Sequence, residues 1–179
     1  MIYLDNNATT RVPPEVLDVM TRHWRDAYAN PGSRHAAGRK ARQVLESSRE
    51  SIAGLLGAEP DEVIFTSGGT ESNNLAVLGF TAGSPGSIAL TGGEHPAVRE
   101  TCLFLESHGW KLQFLPVDSE GRLLPWADSL TSAGFQLAEN TLLVNVILAH
   151  NETGVIQDLA PMSAICASRN IPLHIDAVQ

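Results

Sequence analysis

Short, unbroken apolar runs alternate along this chain with longer stretches in which apolar residues recur at every third or fourth position. The first kind predicts strands buried on both faces, and the second predicts amphipathic helices. Strands are expected at Ile2–Leu4, Glu62–Thr66, Ser87–Thr91 (SIALT), Lys111–Val117, Thr141–Ala149 (TLLVNVILA) and Pro172–Asp176. A helix opened by Pro13-Pro14 should run to about Tyr28, with Val16, Leu17, Met20 and Trp24 on one face. A longer helix, Arg34 to Leu56, carries an apolar stripe of Ala37, Ala41, Val44, Leu45, Ile52, Leu55 and Leu56. Gly57 then stands where a C-capping glycine belongs. Further helices are predicted from about Glu71 to Phe80, Pro96 to Ser107, Pro125 to Ala133 and Leu159 to Ser168.

This alternation predicts an α/β fold, three layers deep (α/β/α), around a mainly parallel sheet with right-handed crossovers. Ligands of such sheets sit at the carboxyl ends of the strands. Polar residues stand at four of those ends: Thr70, His95, Asn151 and Asp176.

Composition narrows the partners. The 179 residues are 43% hydrophobic and 18% charged, which fits a globular domain with a real core. A net charge of −8 argues against nucleic acid and against anionic membrane surfaces. Any anion must then be held by local dipoles and a few side chains. Cys102 and Cys166 are the two cysteines; their separation gives neither a metal site nor a disulfide framework, which points to a reducing, cytoplasmic setting. The opening residues read as a strand rather than a targeting segment, and no apolar run reaches the roughly 20 residues a membrane span needs.

Candidate chemistry centres on the stretch EVIFTSGGTESNNLA, Glu62 to Ala76. A strand, a turn of glycine and hydroxyl residues, then a helix start make an anion site: the first N–H groups of a helix lack partners, and its dipole is positive there. Gly68 and Gly69 let the backbone approach a ligand, and Ser67 and Thr70 add hydroxyls. No Gly-Lys-Ser/Thr follows, so this is not a nucleotide P-loop. Each residue also has a plainer reading. The glycine pair suits an ordinary strand-to-helix turn, His95 could cap the helix that Pro96 begins, Asn151 could form a turn, and Asp176 could cap a following helix. Together they fit pyridoxal phosphate, which needs a phosphate cup, an acidic partner for its ring nitrogen, a flat group over the ring and a donor near its hydroxyl.

The motifs LDNNATT (from Leu4), NPGSRHAAGRKAR (from Asn30), IFTSGGTESNNLA (from Ile64), GGEHPAV (from Gly92), HNETGVIQD (from His150) and HIDAVQ (from His174) occur in that order. As a set they closely resemble the class V, fold-type-I, pyridoxal-phosphate-dependent cysteine desulfurases. The resemblance implies that Gly69 and Thr70 hold the cofactor phosphate, and that His95 stacks on the ring and moves protons. It further implies that Asn151 and Gln179 lie near the ring hydroxyl and that Asp176 pairs with the ring nitrogen. His150 departs from the family, which often has a second Asn there. Residues 1–12 would belong with the family's small domain and 13–179 would form part of its pyridoxal-phosphate-binding large domain, incomplete at the C-terminus.

The family's reaction converts L-cysteine to L-alanine, leaves sulfur as a persulfide on an enzyme cysteine, and passes it to a sulfur acceptor or iron–sulfur scaffold protein. Its members are about twice this long and typically homodimeric, so this chain should expose apolar surface and self-associate. The aldimine lysine, the persulfide cysteine and the arginine that grips the substrate carboxylate would fall beyond Gln179. The lysines present are Lys40, on a polar helix face, and Lys111, at the start of a strand. Both cysteines sit among apolar neighbours and read as buried thiols. The chain alone is therefore expected to be inactive. Two alternatives stay open: a selenocysteine lyase or another class V enzyme with the same cofactor, and a non-catalytic remnant that binds a partner.

Overall fold

The computed structural model describes residues 2–125 and 135–179. The helix predicted over 125–133 falls, but for Pro125, outside the described residues. The chain divides into two compact units, residues 1–65 and 66–179.

In residues 1–65, helix α1 (Pro14–Asp26) starts with a proline at its first position, and helix α2 (Ala36–Leu56) starts at His35, whose Nδ1 accepts from Gly38 N–H at 3.2 Å. Gly38 is obligatory here: a Cβ at this position would lie 2.3 Å from the Ser33 carbonyl oxygen. Gly57 ends α2 in the left-handed conformation (φ 67°), as expected. The strand predicted at Glu62–Thr66 does not form. A 3-10 turn, Pro60–Glu62, comes first, and the Val63 carbonyl is bound by the Arg49 guanidinium instead of a neighbouring strand. Arg49 also lies over the Phe65 ring, 5.1 Å from its centroid. The Ile2–Leu4 strand is absent as well. Ile2 and Leu4 are exposed and take no strand partner among the described residues. In both places the β-forming composition is present, but a strand exists only where a neighbour completes its ladder.

Residues 66–179 hold helix α3 (Gly69–Phe80), strand β1 (Ser87–Thr91), helix α4 (Pro96–Ser107), strands β2 (Lys111–Leu115) and β3 (Thr141–Ile147), helix α5 (Ala160–Ser168) and strand β4 (Leu173–Asp176). The four strands form one parallel sheet in the order β2-β1-β3-β4. Strand side chains alternate between faces, and two core clusters result. Ile88, Leu90 and Leu143 pack with Val77 of α3 and with Val98, Cys102 and Leu105 of α4. Ala89, Leu115, Val144 and Val146 pack on the other face with Met162 and Cys166 of α5. This is the expected α/β/α layering.

Boundaries shift for local reasons. β2 stops at Leu115 because Pro116 has no N–H to donate. β3 stops at Ile147 because the chain turns back: Gln157 N–H donates to the Leu148 carbonyl at 2.9 Å, and Ala149 faces Ile156 in an antiparallel bridge. The sheet changes direction between β1 and β3. From β1 the chain passes to β2 on one side, and from β3 it passes to β4 on the other. A crevice at the carboxyl ends of these two strands is where such sheets take ligands.

Candidate active site

Because the strands are all parallel, their carboxyl ends share one rim. Four contacts gather the rim within residues 66–179. The Asn73 amide of α3 donates to Asp176 Oδ2 at the end of β4 (2.8 Å). Gly69, the first residue of α3, packs so closely on Val178 that a Cβ would lie 2.7 Å from its Cγ2. Glu94, in the turn after β1, accepts on Oε1 from Ile147 N–H of β3 (2.8 Å) and from the Thr91 hydroxyl. Gly93 packs on His150, with room for no Cβ: it would sit 2.8 Å from the imidazole Cδ2.

Helix α3 supplies the anion end. Its first backbone bond runs from Ser72 N–H to the Gly68 carbonyl (3.1 Å), so the N–H groups of Gly69, Thr70 and Glu71 stand ahead of the helical ladder. The Ser67 hydroxyl, expected from the sequence as a further donor to an anion, is bonded within the turn instead. It and Ser67 N–H both donate to Glu71 Oε2, at 2.5 and 2.6 Å, and these bonds hold the Glu71 carboxyl below its ordinary range. Thr70 is exposed and lines one hollow with His95, Asn74 and Thr101. Asn74 ties the two helices bounding it: its amide donates to the Thr70 and Ala97 carbonyls, at 2.9 and 3.3 Å, and its Oδ1 accepts from Thr101 Oγ1 at 2.8 Å.

His95 does cap α4: Nδ1 accepts from Ala97 N–H at 3.1 Å. That bond fixes the ring's orientation and places the neutral ring's proton on Nε2, while the ring itself stays exposed. Capping and a role at the rim are therefore compatible. Asp176 is buried, and its other oxygen, Oδ1, accepts from Val178 N–H at 3.2 Å. Its carboxylate is thus oriented at both oxygens, once by α3 and once by its own turn. Asn151 begins the turn after β3 and is half-buried; Gln179 is exposed, three residues beyond the end of β4. His150 organises that turn, accepting on Nδ1 from Glu152 and Thr153 N–H, both at 3.2 Å. The imidazole thus does what an Asn side chain does in such a turn.

Lys111 opens β2, at the opposite end of the strand from the rim, roughly 13 Å from its last residue by strand rise. Both cysteines are buried. Burial, with the Glu94 carboxyl adding to it, pushes the Cys102 thiol up to about 12; burial also raises Cys166, against the pull of Arg169. Neither is a thiolate nucleophile at neutral pH.

Three groups at this end were not singled out from sequence: Asn73, Glu94 and the Asn145–His174 pair. Asn145 is wholly buried in β3, and its Oδ1 meets His174 Nδ1 at 3.0 Å across the β3–β4 register. Burial lowers the His174 pKa, against the opposing charge of Asp176. A polar residue within an apolar strand, as in TLLVNVILA, was the available signal for Asn145. Asn73 and Glu94 stood inside the quoted motifs without a role, because their partners lie far along the chain.

A family model described as aminotransferase class-V matches residues 2–179. Cysteine desulfurase IscS of Dictyoglomus turgidum is 42% identical over 181 residues, covering 99% of this chain and 45% of its own. A solved structure described as a NifS-like protein superposes with a TM-score of 0.88 at 38% identity, over 99% of this chain and 49% of that one. Another, SspA in complex with cysteine, gives a TM-score of 0.86 at 34% identity, over 97% and 49%. The chain thus spans about half the length of the relatives it matches. Among the described residues no helix is long and apolar enough to cross a membrane.

Proposed function

Since this chain belongs to the aminotransferase class-V family, we propose that it forms the cofactor-holding part of a pyridoxal-phosphate-dependent cysteine desulfurase. The observation that carries this reading is the 2.8 Å bond from Asn73 to Asp176. It ties the helix whose first turn offers N–H groups to the buried carboxylate at the end of β4. A phosphate and a ring nitrogen of one flat ligand need those two features at a fixed separation. The donor set fits the group: N–H groups and a hydroxyl for the phosphate, a carboxylate for a protonated nitrogen, and an imidazole in the hollow that Thr70 also lines.

In this reading Gly69 and Thr70 bind the phosphate through the helix end and the Thr70 hydroxyl. Asp176 keeps a proton on the ring nitrogen, and the cofactor, when bound, supplies an acceptor for the electron pair released at the substrate's α-carbon. His95 covers the ring face and moves protons at Nε2. Asn151 and Gln179 orient the ring hydroxyl. Residues 1–12 belong with a small domain, and 13–179 with the cofactor-binding large domain. The substrate is L-cysteine, converted to L-alanine with sulfur retained as a persulfide, and a sulfur-acceptor or iron–sulfur scaffold protein receives it in the cytoplasm. Two copies pair through apolar surface such as the exposed Val16, Leu17, Met20 and Trp24. Lys111 stands at the opposite end of β2 from the rim, and in this reading the catalytic amine comes from further protein.

Titration of the chain with pyridoxal phosphate, followed by absorbance, tests the reading. Reversible binding is expected, with no borohydride-stable adduct on Lys40 or Lys111. Thr70→Ala and Asp176→Ala should each weaken it about tenfold, close to 1.4 kcal/mol. Binding indifferent to both substitutions, or turnover of L-cysteine by the chain alone, would overturn it. Sedimentation at rising concentration should show dimers, and Trp24→Ala should reduce them.

A further inference from the structure

We propose that Glu94 is a positioning residue of this site and works as a neutral acid: its carboxyl bridges the diverging ends of β1 and β3 and thereby sets where His95 stands. The inference rests on the reading of the rim as a cofactor site. The β1–β3 ladder ends at the Leu90–Asn145 pair, whereas β1 stays paired with β2 one residue further, to Thr91–Leu115. At this parting of the strands Ile147 N–H needs an acceptor. Glu94 Oε1 provides it at 2.8 Å, and the same oxygen accepts the Thr91 hydroxyl. The carboxyl therefore stands in for the next rung of the ladder, at the crevice where the sheet changes direction.

Its protonation follows from which oxygen is served. Glu94 is 5% exposed, and its Oε2 is buried with no hydrogen-bond partner among the described residues. An ionised carboxylate would leave half its charge bare at Oε2, which is costly in a buried place. A neutral acid matches better, with Oε1 as the doubly bonded carbonyl oxygen and Oε2 as the hydroxyl. The groups facing it agree: Asp176 from the end of β4 and the Cys102 thiol from α4 both couple to it, and neither is a cation. Burial, and after it the Asp176 charge, raise the Glu94 pKa against the Thr91 and Ile147 bonds.

The link to His95 is covalent and short. Glu94 is its chain neighbour, and His95 begins α4. With Glu94 pinned to β3 and Gly93 pressed on His150, the backbone that carries the imidazole has little freedom. The whole of α4 starts from that anchored point.

The test compares Glu94→Gln, Glu94→Ala and Thr91→Val with the unaltered protein. It reads the His95 imidazole resonances, stability against pH in denaturant, and pyridoxal phosphate affinity. Glu94→Gln keeps an acceptor at Oε1, so it should leave the His95 resonances in place and affinity within about twofold. Glu94→Ala should shift those resonances and weaken affinity about tenfold. Because the folded pKa is raised, the carboxyl's contribution is whole below the ordinary glutamate value of about 4.3 and is lost as pH rises through the folded value. Glu94→Gln should abolish that loss. If Glu94→Ala does not fold, Thr91→Val, which removes one donor, should still shift His95. A Glu94→Gln variant that behaves like Glu94→Ala, or unmoved His95 resonances in both Ala and Val variants, overturns the proposal. Shifted resonances and an abolished pH loss without pyridoxal phosphate binding by any form would uphold the strut and sink the cofactor reading instead.

Discussion

Residues 66–179 bury a parallel sheet between two helical layers, whereas residues 2–65 fold two amphipathic helices with almost nothing inside. β1 is buried along its whole length, and β3 at all but one position. α1 has no buried residue, and α2 buries only Gly38, Ala41 and Ala53. Trp24 is 68% exposed and Leu55 86%. The two regions have similarly apolar patterns, so the contrast teaches that periodicity tells which face wants cover and not what covers it. Where tertiary neighbours exist, apolar area is the main support. Where they are few, capping side chains and glycine geometry hold the local form.

The largest expected effect sharpens that contrast directly. Leu90→Ala, in the buried sheet, should destabilise by about 2–5 kcal/mol in urea denaturation. Leu55→Ala should cost no more than about 0.5 kcal/mol. Equal losses at the two sites would erase the distinction. Next comes Asn73→Ala, which leaves the buried Asp176 Oδ2 without its side-chain donor. A loss of about 1–3 kcal/mol is expected, together with weaker pyridoxal phosphate binding; stability unchanged within error would remove Asn73 from the rim's framework. Gly57→Ala comes third. At φ 67° a Cβ is strained, so about 1 kcal/mol should be lost in residues 2–65, more than Leu55→Ala removes there. The reverse order would mean that apolar cover, not backbone geometry, supports that unit.

The smallest effect is a pH slope. The His174 pKa is lowered on folding, so its contribution to stability is whole above the ordinary value of about 6.5 and is lost as pH falls below it. Chemical denaturation between pH 5 and pH 7.5 should show this slope, and His174→Gln should flatten it. An identical slope in the variant would assign it to another group.

Several features of the site were legible from residue order alone. Gly69-Thr70 at a helix start, His95 before Pro96 and Asp176 at a strand end all follow from turn, cap and strand chemistry, which are local. The same holds for Gly57 and for the limits of α4, which agree with expectation residue for residue. Ser67 could not be read this way, because its competitor Glu71 is also local and equally plausible as a plain first-turn acid. The Ile2–Leu4 and Glu62–Thr66 runs misled because β-forming composition is a property of the segment, while pairing is a property of its neighbours.

What this amino-acid order determined by itself is the succession of helices and strands, the parallel α/β class, and the chemical types gathered at the strand ends. Each rests on interactions within a few residues or on a repeating period, so it is written locally. Only the tertiary structure decided that Asn73 meets Asp176, 103 residues away, and that Glu94 closes the parting between β1 and β3. Those bonds depend on strand order and register, which are set by how the whole sheet buries its apolar faces. No local stretch contains that information.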